Sequence, residues 1–328
     1  MSDDAASDQP TAVWLLNMGG PDRIEAVQPF LQNLLGDYKL IRFAVPWLQP
    51  VFAWIISRYR TPKVAPAYAS MGGASPQLAI VDDQVEALQR RLGPSFRVSP
   101  VLRYWGPSAK DAAAKLQPGQ PVVLLSLYPQ ASDTTTGSSI EDARLALTGH
   151  SGPLHVIESY PADPLYIDAL CETIDQALEG LSEPHILFSA HGLPKRYIAD
   201  GDPYLAEIQA TVAAASARFE QPKHLSFQSR VGLEEWLEPN TIDKVVELGA
   251  AGVKELVVVP VAFTSDHIET LVEIGEEIRE EAEAAGVVTF SRADAVNARP
   301  TFIEALARLV LQKVDPSTSS RSEGAEGA

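Results

Sequence analysis

The stretch PVVLLSLYPQASDTTTGSSIEDA at residues 121–143 and its echo LVVVPVAFTSDHIETLVEI at 256–274 decide how this chain folds. Each opens with a near-continuous run of Val and Leu, the pattern of a strand covered on both faces. Each then passes an aromatic residue and a Ser-Asp pair before a helical pattern begins. Two further pairs follow the same order. VWLLNMGGP (13–21) parallels HILFSAHGLP (185–194), and VLRYWGPS (101–108) parallels FQSRVGLEEWLEPN (227–240), each a strand, an Arg, a Trp and a Pro ahead of a helix. Any two strand–helix units look alike, but three pairs in one order indicate a duplicated, doubly wound α/β domain.

Working outward, strands are expected at 12–16, 96–102, 121–127, 185–188, 224–228 and 255–261. Amphipathic helices are expected at 83–92, 110–116, 163–178, 203–219, 241–248 and 301–310. Alternation of this kind makes parallel sheets joined by crossover helices. The first domain spans 11–158, lengthened by an insertion over 24–92, and the second spans 159–314. The ends, 1–10 and 315–328, are small and polar and read as disordered tails. Ligands of open α/β sheets bind at the carboxyl ends of the strands. The unusual clusters NMGGP, RYWGP, YPQASDTTTGSS, SAHGLP and FTSDHIE all fall there, which points to a cleft between the halves.

Composition narrows the function. The 328 residues, 45% hydrophobic and 21% charged, suit a soluble protein of about two domains. A formal charge of −17 repels phosphate backbones, so nucleic acid is not expected as a partner. Cys171 is the sole cysteine, which excludes an intramolecular disulfide, a CxxC pair and a thiolate cage. The start, MSDDAASDQP, is acidic and unlike a signal or transit peptide, so a reducing cytosol is the expected compartment. One apolar stretch, LIRFAVPWLQPVFAWII at 40–56, is interrupted by Arg42, Pro46, Gln49 and Pro50 and does not span a membrane. Two readings remain for it, a buried helix or an exposed apolar lip. The residues alone favour the buried helix.

The loops carry the chemistry. NMGGP matches neither G-x-G-x-x-G nor a P-loop, so Gly19, Gly20, Gly72 and Gly73 close turns or admit something flat. His191 follows its strand directly and is held by Gly192-Leu193-Pro194, aimed at the cleft. With an ordinary pKa of about 6.5 an imidazole can accept a proton or ligate a metal near neutrality. Asp266, His267 and Glu269 open a helix in the matching loop, and Glu273 shares the face of Glu269. The later EEIREEAE reads as a solvated acidic helix. Histidine and carboxylate without cysteine suit a borderline divalent ion such as Fe²⁺, held weakly and openly. No HExxH occurs, no nucleophile sits in a triad pattern, and the serines of TTTGSS read as helix caps. Such a set fits a site that removes protons while a metal passes through.

In order along the chain stand LLNMGGP, RTPKV (60–64), Tyr68, MGGASPQ (71–77), LRY (102–104), YPQASDTTTGSS, LFSAHGLP, GDPY (201–204), FQSRVG, EEWLEP and FTSDHIETLVEI. From about Val13 to Val310 the chain resembles the ferrochelatases, which insert ferrous iron into a porphyrin at the end of haem synthesis. The resemblance implies two Rossmann-like domains with a porphyrin cleft between them. It turns 40–56 into an apolar lip able to rest on a membrane, and it packs the C-terminal helix (301–313) back on the first domain. It implies His191 as leading proton acceptor and metal-handling group, with Glu269 facing it across the ring; which of the two delivers iron stays open. Asp266 and His267 would orient Glu269, and Glu273 would continue a path for protons or metal. Met18, Arg60, Tyr68, Ser75, Arg103, Tyr104 and Trp236 would line the macrocycle or hold its propionates.

The implied substrates are protoporphyrin IX, favoured by the NMGGP loop, and Fe²⁺. No permanently bound cofactor is implied, and Cys171 alone excludes the iron–sulfur cluster that some members carry. Trp105 departs from the smaller residues usual there, and the oligomeric state stays open. The competing readings are a coproporphyrin–iron chelatase, a cobalt-inserting relative, and a porphyrin or haem carrier. A carrier would not need both His191 and Glu269.

Overall fold

Strands form where the chain is apolar on both faces. The computed structural model describes residues 9–42, 45–232 and 234–315. In it β1 (Thr11–Asn17), β2 (Phe96–Leu102), β3 (Val122–Ser126) and β4 (Leu154–Ile157) form one parallel sheet in the order β2-β1-β3-β4. A second parallel sheet repeats that order as β6-β5-β7-β8, from β5 (His185–His191), β6 (Lys223–Gln228), β7 (Glu255–Pro260) and β8 (Thr289–Arg292). The duplication expected from the paired motifs is present strand for strand. β4 and β8 had no apolar run to announce them. LHVI and TFSR are edge strands of only four residues, mostly half-exposed, and mix apolar with polar residues.

The insertion between β1 and β2 supplies α1 (Val27–Gly36), α2 (Gln49–Ser70) and α3 (Gln77–Leu92). α4 (Ala109–Ala113) joins β2 to β3, and a π-helical turn, Asp133–Gly137, leads into α5 (Ser138–Ala146). α6 (Pro164–Leu178) crosses to the second sheet, where α7 (Lys195–Ala199) and α8 (Tyr204–Ser216) follow β5. α9 (Thr241–Ala250) precedes β7, a longer π-helical segment, Glu269–Ile278, runs into α10 (Arg279–Ala284), and α11 (Pro300–Val314) closes the described chain. The tails at 1–10 and 315–328 lie outside the described residues apart from 9, 10 and 315.

Strand alternation divides the core into layers. Val13, Leu15, Val123 and Leu125 of the first sheet share one continuous core with Ile186, Phe188, Val257 and Val259 of the second, filled between by α3, α6, α8 and α11. The opposite faces, Trp14, Leu16 and Leu124 in one sheet and Leu187, Leu256 and Val258 in the other, bury against α4 and α5 or α9 and α10. Each fully buried Val, Leu or Phe contributes roughly 1.5–3 kcal/mol, so the shared layer holds the halves together. α11 sends Phe302, Leu306 and Val310 into it, packs on α3, α6 and β4, and pairs Glu304 with Arg91 of α3.

The stretch 40–56, whose residues 43 and 44 lie outside the described set, corrects the buried-helix reading. α2 turns Gln49, Ala53 and Ser57, spaced by four, toward α1 and leaves Val51, Trp54, Ile55 and Tyr59 exposed. Trp47, just ahead of it, is 78% exposed. Gln49 lies inside because its amide donates to the carbonyls of Leu35 and Ile41. The small and polar side packs and the aromatic side faces out, so the stretch is an exposed lip. Among the described residues no helix is long and apolar enough to cross a membrane.

Candidate active site

From β1 the chain goes out to β2, then returns past β1 to β3. The winding therefore reverses between β1 and β3, and in the second sheet between β5 and β7. A crevice opens at the carboxyl ends of strands at such a point. Here the two crevices face each other and merge. Asn17 ending β1 and Met18 after it, residues between Leu127 and Thr135 after β3, His191 of β5, and Ala262, Phe263, Thr264, Ser265, His267 and Glu269 after β7 line a single cleft, with Leu40 of the lip beside them. The space between the walls, open solvent included, amounts to about 760 Å³. Among the described residues no Lys or Arg lines it.

His191 ends β5, and its Nδ1 lies 2.7 Å from Glu269 Oε2 at the start of the π-helical segment. The imidazole therefore donates from Nδ1 to the carboxylate and keeps Nε2 without a protein partner among the described residues. Tyr204 fixes the turn by donating its hydroxyl to the His191 carbonyl at 2.9 Å. Burial opposes a charged imidazolium, but the Glu269 carboxylate and Glu273 beyond it outweigh that and raise the His191 pKa above its ordinary value. Burial likewise opposes the Glu269 carboxylate, and His191, His267 and the Ser229 hydroxyl overcome it, holding Glu269 ionised well below the usual range.

The i→i+5 bonding of the π-helical segment widens its turn, so residues four apart stack closely. Glu273 stands behind Glu269 in this way. Ser229 bridges them, donating its hydroxyl to Glu273 Oε2 at 2.6 Å and lying 3.3 Å from Glu269 Oε2. The Ser229 backbone N–H and the Gln228 amide donate to Glu273 at 2.7 and 3.0 Å. Burial and the charge of Glu269 still push the Glu273 carboxyl upward, making it the readier of the two to hold a proton. His267 donates from Nδ1 to the Ser265 carbonyl, which leaves its Nε2 lone pair 4.0 Å from Glu269 Oε1. Burial lowers its pKa, so it is neutral near neutrality. Among the described residues no three His, Cys, Asp or Glu gather as a metal cage. What the wall offers is an open pair, Glu269 Oε1 and an imidazole nitrogen.

The structure relocates several of the expected residues. His191 and Glu269 do not face each other across a ring; they touch on one wall, because β5 and β7 are adjacent strands. Asp266 does not reach Glu269. It accepts from Thr270, Arg292 and Asn297 in a buried cage that fixes the loop. Met18 lines the cleft, and Tyr68 packs with it, Tyr104 and Ile268. Arg60 is half-buried on α2 with no ion-pair partner among the described residues. Ser75 is pressed against Gly20, whose added Cβ would stand 2.5 Å from the Ser75 Cβ. Arg103 and Tyr104 line a neighbouring cavity beneath the lip, where both bind the buried carboxylate of Asp37. Trp236 lies behind the His191 turn, against Gly192.

Four contributors were missing from the expected set: Gln228, Ser229, Asp37 and Phe263. Gln228 and Ser229 lie in the repeated FQSRVG motif, at the end of β6, and that position was the available signal. Phe263 separates the two imidazoles, with ring centroids 6.4 Å from His191 and 4.8 Å from His267. Nothing in the sequence marks Asp37.

Comparison with known proteins shows the family. The ferrochelatase family profile matches residues 10–314. The ferrochelatase of Geotalea uraniireducens is 44% identical over 315 residues, covering 93% of this chain and 98% of that protein. The ferrochelatase of Gloeothece citriformis is 42% identical over 95% of this chain and 84% of its own length. That of Synechocystis is 42% identical over 92% of this chain and 82% of its own. SirB from Bacillus subtilis with Fe³⁺ shares the fold at a TM-score of 0.56 and 12% identity, over 74% of this chain and 91% of that one. This chain belongs to the ferrochelatase family.

Proposed function

We propose that the protein inserts Fe²⁺ into protoporphyrin IX, giving protohaem and two protons. The reaction is balanced without redox chemistry, since two pyrrole N–H protons leave as one divalent ion enters. The observation that carries the reading is the His191–Glu269 contact on the wall of a cleft that, among the described residues, no Lys or Arg lines. A carboxylate on Nδ1 holds the imidazole in the tautomer whose Nε2 accepts, and stabilises the imidazolium once a pyrrole proton arrives. Ser229 and Glu273 extend the polar chain away from the ring, so a proton taken by His191 has a route to a carboxyl already inclined to bind it. Glu269 Oε1 and His267 Nε2 supply oxygen and nitrogen donors of the kind a borderline divalent ion accepts, too few to trap it.

The protoporphyrin assignment draws on the lining of the cleft. Coproporphyrin carries four propionates and protoporphyrin two, and a buried carboxylate without a cation is costly. With no Lys or Arg in the lining, and Arg103 engaged by Asp37, the cleft suits the ring with fewer carboxylates. The exposed lip is the entrance for this apolar substrate, and in our reading it rests on the membrane surface from a cytoplasmic protein. Arg58 and Lys63 stand over Trp54 and Tyr59, a basic-aromatic arrangement suited to a headgroup boundary. The test is His191→Ala in anaerobic insertion followed by loss of porphyrin fluorescence. Abolished insertion with retained porphyrin binding supports the reading, and insertion at the wild-type rate overturns it.

A further inference from the structure

The GDPY motif at 201–204 enters the site above only through Tyr204, which fixes the His191 turn, yet its side chains reach both walls of the cleft. Asp202, 7% exposed, accepts at Oδ2 from the Ser132 hydroxyl and the Asp133 backbone N–H, both at 2.9 Å. Its other oxygen accepts from the Tyr204 N–H at 2.9 Å, at the start of α8. Ser132 belongs to the loop after β3 in the first sheet, and Thr134 and Thr135, next to it, line the cleft with it. Tyr204, two residues from Asp202, donates to the carbonyl of His191 on the opposite wall.

The same face of α8 continues the attachment. Glu207, three residues on from Tyr204, accepts from the Ala131 backbone N–H at 2.7 Å and from the Ser159 hydroxyl at 3.1 Å. Thr211, another turn on, takes the buried amide of Gln130 at 2.9 Å. Residues 130–133 of the first domain are therefore bound one after another to Thr211, Glu207 and Asp202 of the second. Spacings of three and four along a helix place these side chains on one face. Asp202 stands just ahead of that face and completes it.

We infer that Asp202 and the α8 face form a strut that sets the gap between His191 and the loop 131–135, and that Asp202 is a positioning residue for metal insertion. The inference rests on the proposed chelatase reading. A flat macrocycle must lie at a fixed distance from the base that deprotonates it, and a misplacement of about 1 Å costs on the order of a hundredfold in rate. The strut acts through His191 and the loop, without touching the reacting nitrogens. It also accounts for two carboxylates, Asp202 and Glu207, standing at the domain junction with acceptors turned wholly to backbone N–H and hydroxyl donors.

The experiment uses the full chain and Asp202→Asn. The carboxamide oxygen keeps the Tyr204 N–H, while its NH₂ meets the Asp133 N–H and breaks the attachment between domains. Single-turnover Fe²⁺ insertion is expected to fall about ten- to a hundredfold, with the porphyrin Kd within about threefold of wild type. Amide exchange is expected to quicken over 131–135. Glu207→Ala is expected to act in the same direction and Glu207→Gln to restore most of the rate, because a carboxamide still accepts from the Ala131 N–H. Should Asp202→Asn fail to fold, the Glu207 variants, outside the cleft lining, carry the test with the same expected signs. Wild-type insertion in these variants, or insertion falling only in proportion to porphyrin binding, overturns the strut. Failure of the wild-type protein to insert iron overturns the chelatase reading instead, and the amide exchange still judges the strut on its own.

Discussion

Replacing Glu269 by Gln tests whether His191 owes its basicity to its neighbour. In the wild type the carboxylate on Nδ1 raises the imidazole above its ordinary value of about 6.5 against the effect of burial. Gln removes the charge and keeps the size, so burial then acts almost alone and the His191 pKa is expected to fall below about 6.5. Stability changes with it. A raised His contributes stability that is full below its unfolded value and is lost as pH rises through the folded one. The depressed Glu269 contributes stability above its unfolded value, about 4.3, that is lost as pH falls. Both contributions are present together between about pH 4.3 and 6.5. Hydrogen bonds to charged groups contribute about 1.5–3 kcal/mol. With the His191 side chain 36% exposed and Glu269 25%, solvent screening reduces this to about 1–2 kcal/mol. The assay is the histidine Cε1–H titration by NMR, with denaturant unfolding at pH 5.5 and 8.5. A His191 midpoint unmoved by the substitution, or an equal stability loss at both pH values, refutes the reasoning.

Glu273→Gln keeps the hydrogen bonds of Ser229 in part but cannot take a proton, so insertion is expected to slow about tenfold in steady-state assays while the porphyrin KM holds. Trp54→Asp places a charge on the exposed face of α2, and vesicle co-sedimentation is expected to show weaker pelleting than wild type. Equal, negligible pelleting of both proteins would reduce the lip to a substrate entrance. Gly20→Ala forces a Cβ to 2.5 Å from that of Ser75, and a loss of about 1–3 kcal/mol is expected in denaturant unfolding.

The duplication was legible because buried parallel strands must be apolar on both faces, and runs such as VVLLS and LVVVP satisfy no other demand as well. β4 and β8 escaped notice because four residues are too few to show a period, whereas the longer edge strands β2 and β6 were legible. His191 at a strand end and Glu269 at a helix start were visible as unusual residues, but their contact was not, since adjacency of β5 and β7 follows from strand order rather than spacing. The π-helical turn at Glu269 left no trace in the sequence, because the same apolar positions suit an α-helix. The lip misled in the opposite sense. Aromatic stripes usually pack inward, and here Gln49, through two carbonyls, takes that side. Arg103 reads as a free cation until the fold brings Asp37 to it from 66 residues away.

The most direct test of the central claim is anaerobic Fe²⁺ insertion by the wild-type protein, followed by loss of porphyrin fluorescence, with protoporphyrin IX and coproporphyrin III in parallel. The account predicts preferential turnover of protoporphyrin IX. Preference for coproporphyrin III would contradict the cation-free cleft as the basis of selection, and tight binding of both without insertion would contradict the chelatase itself.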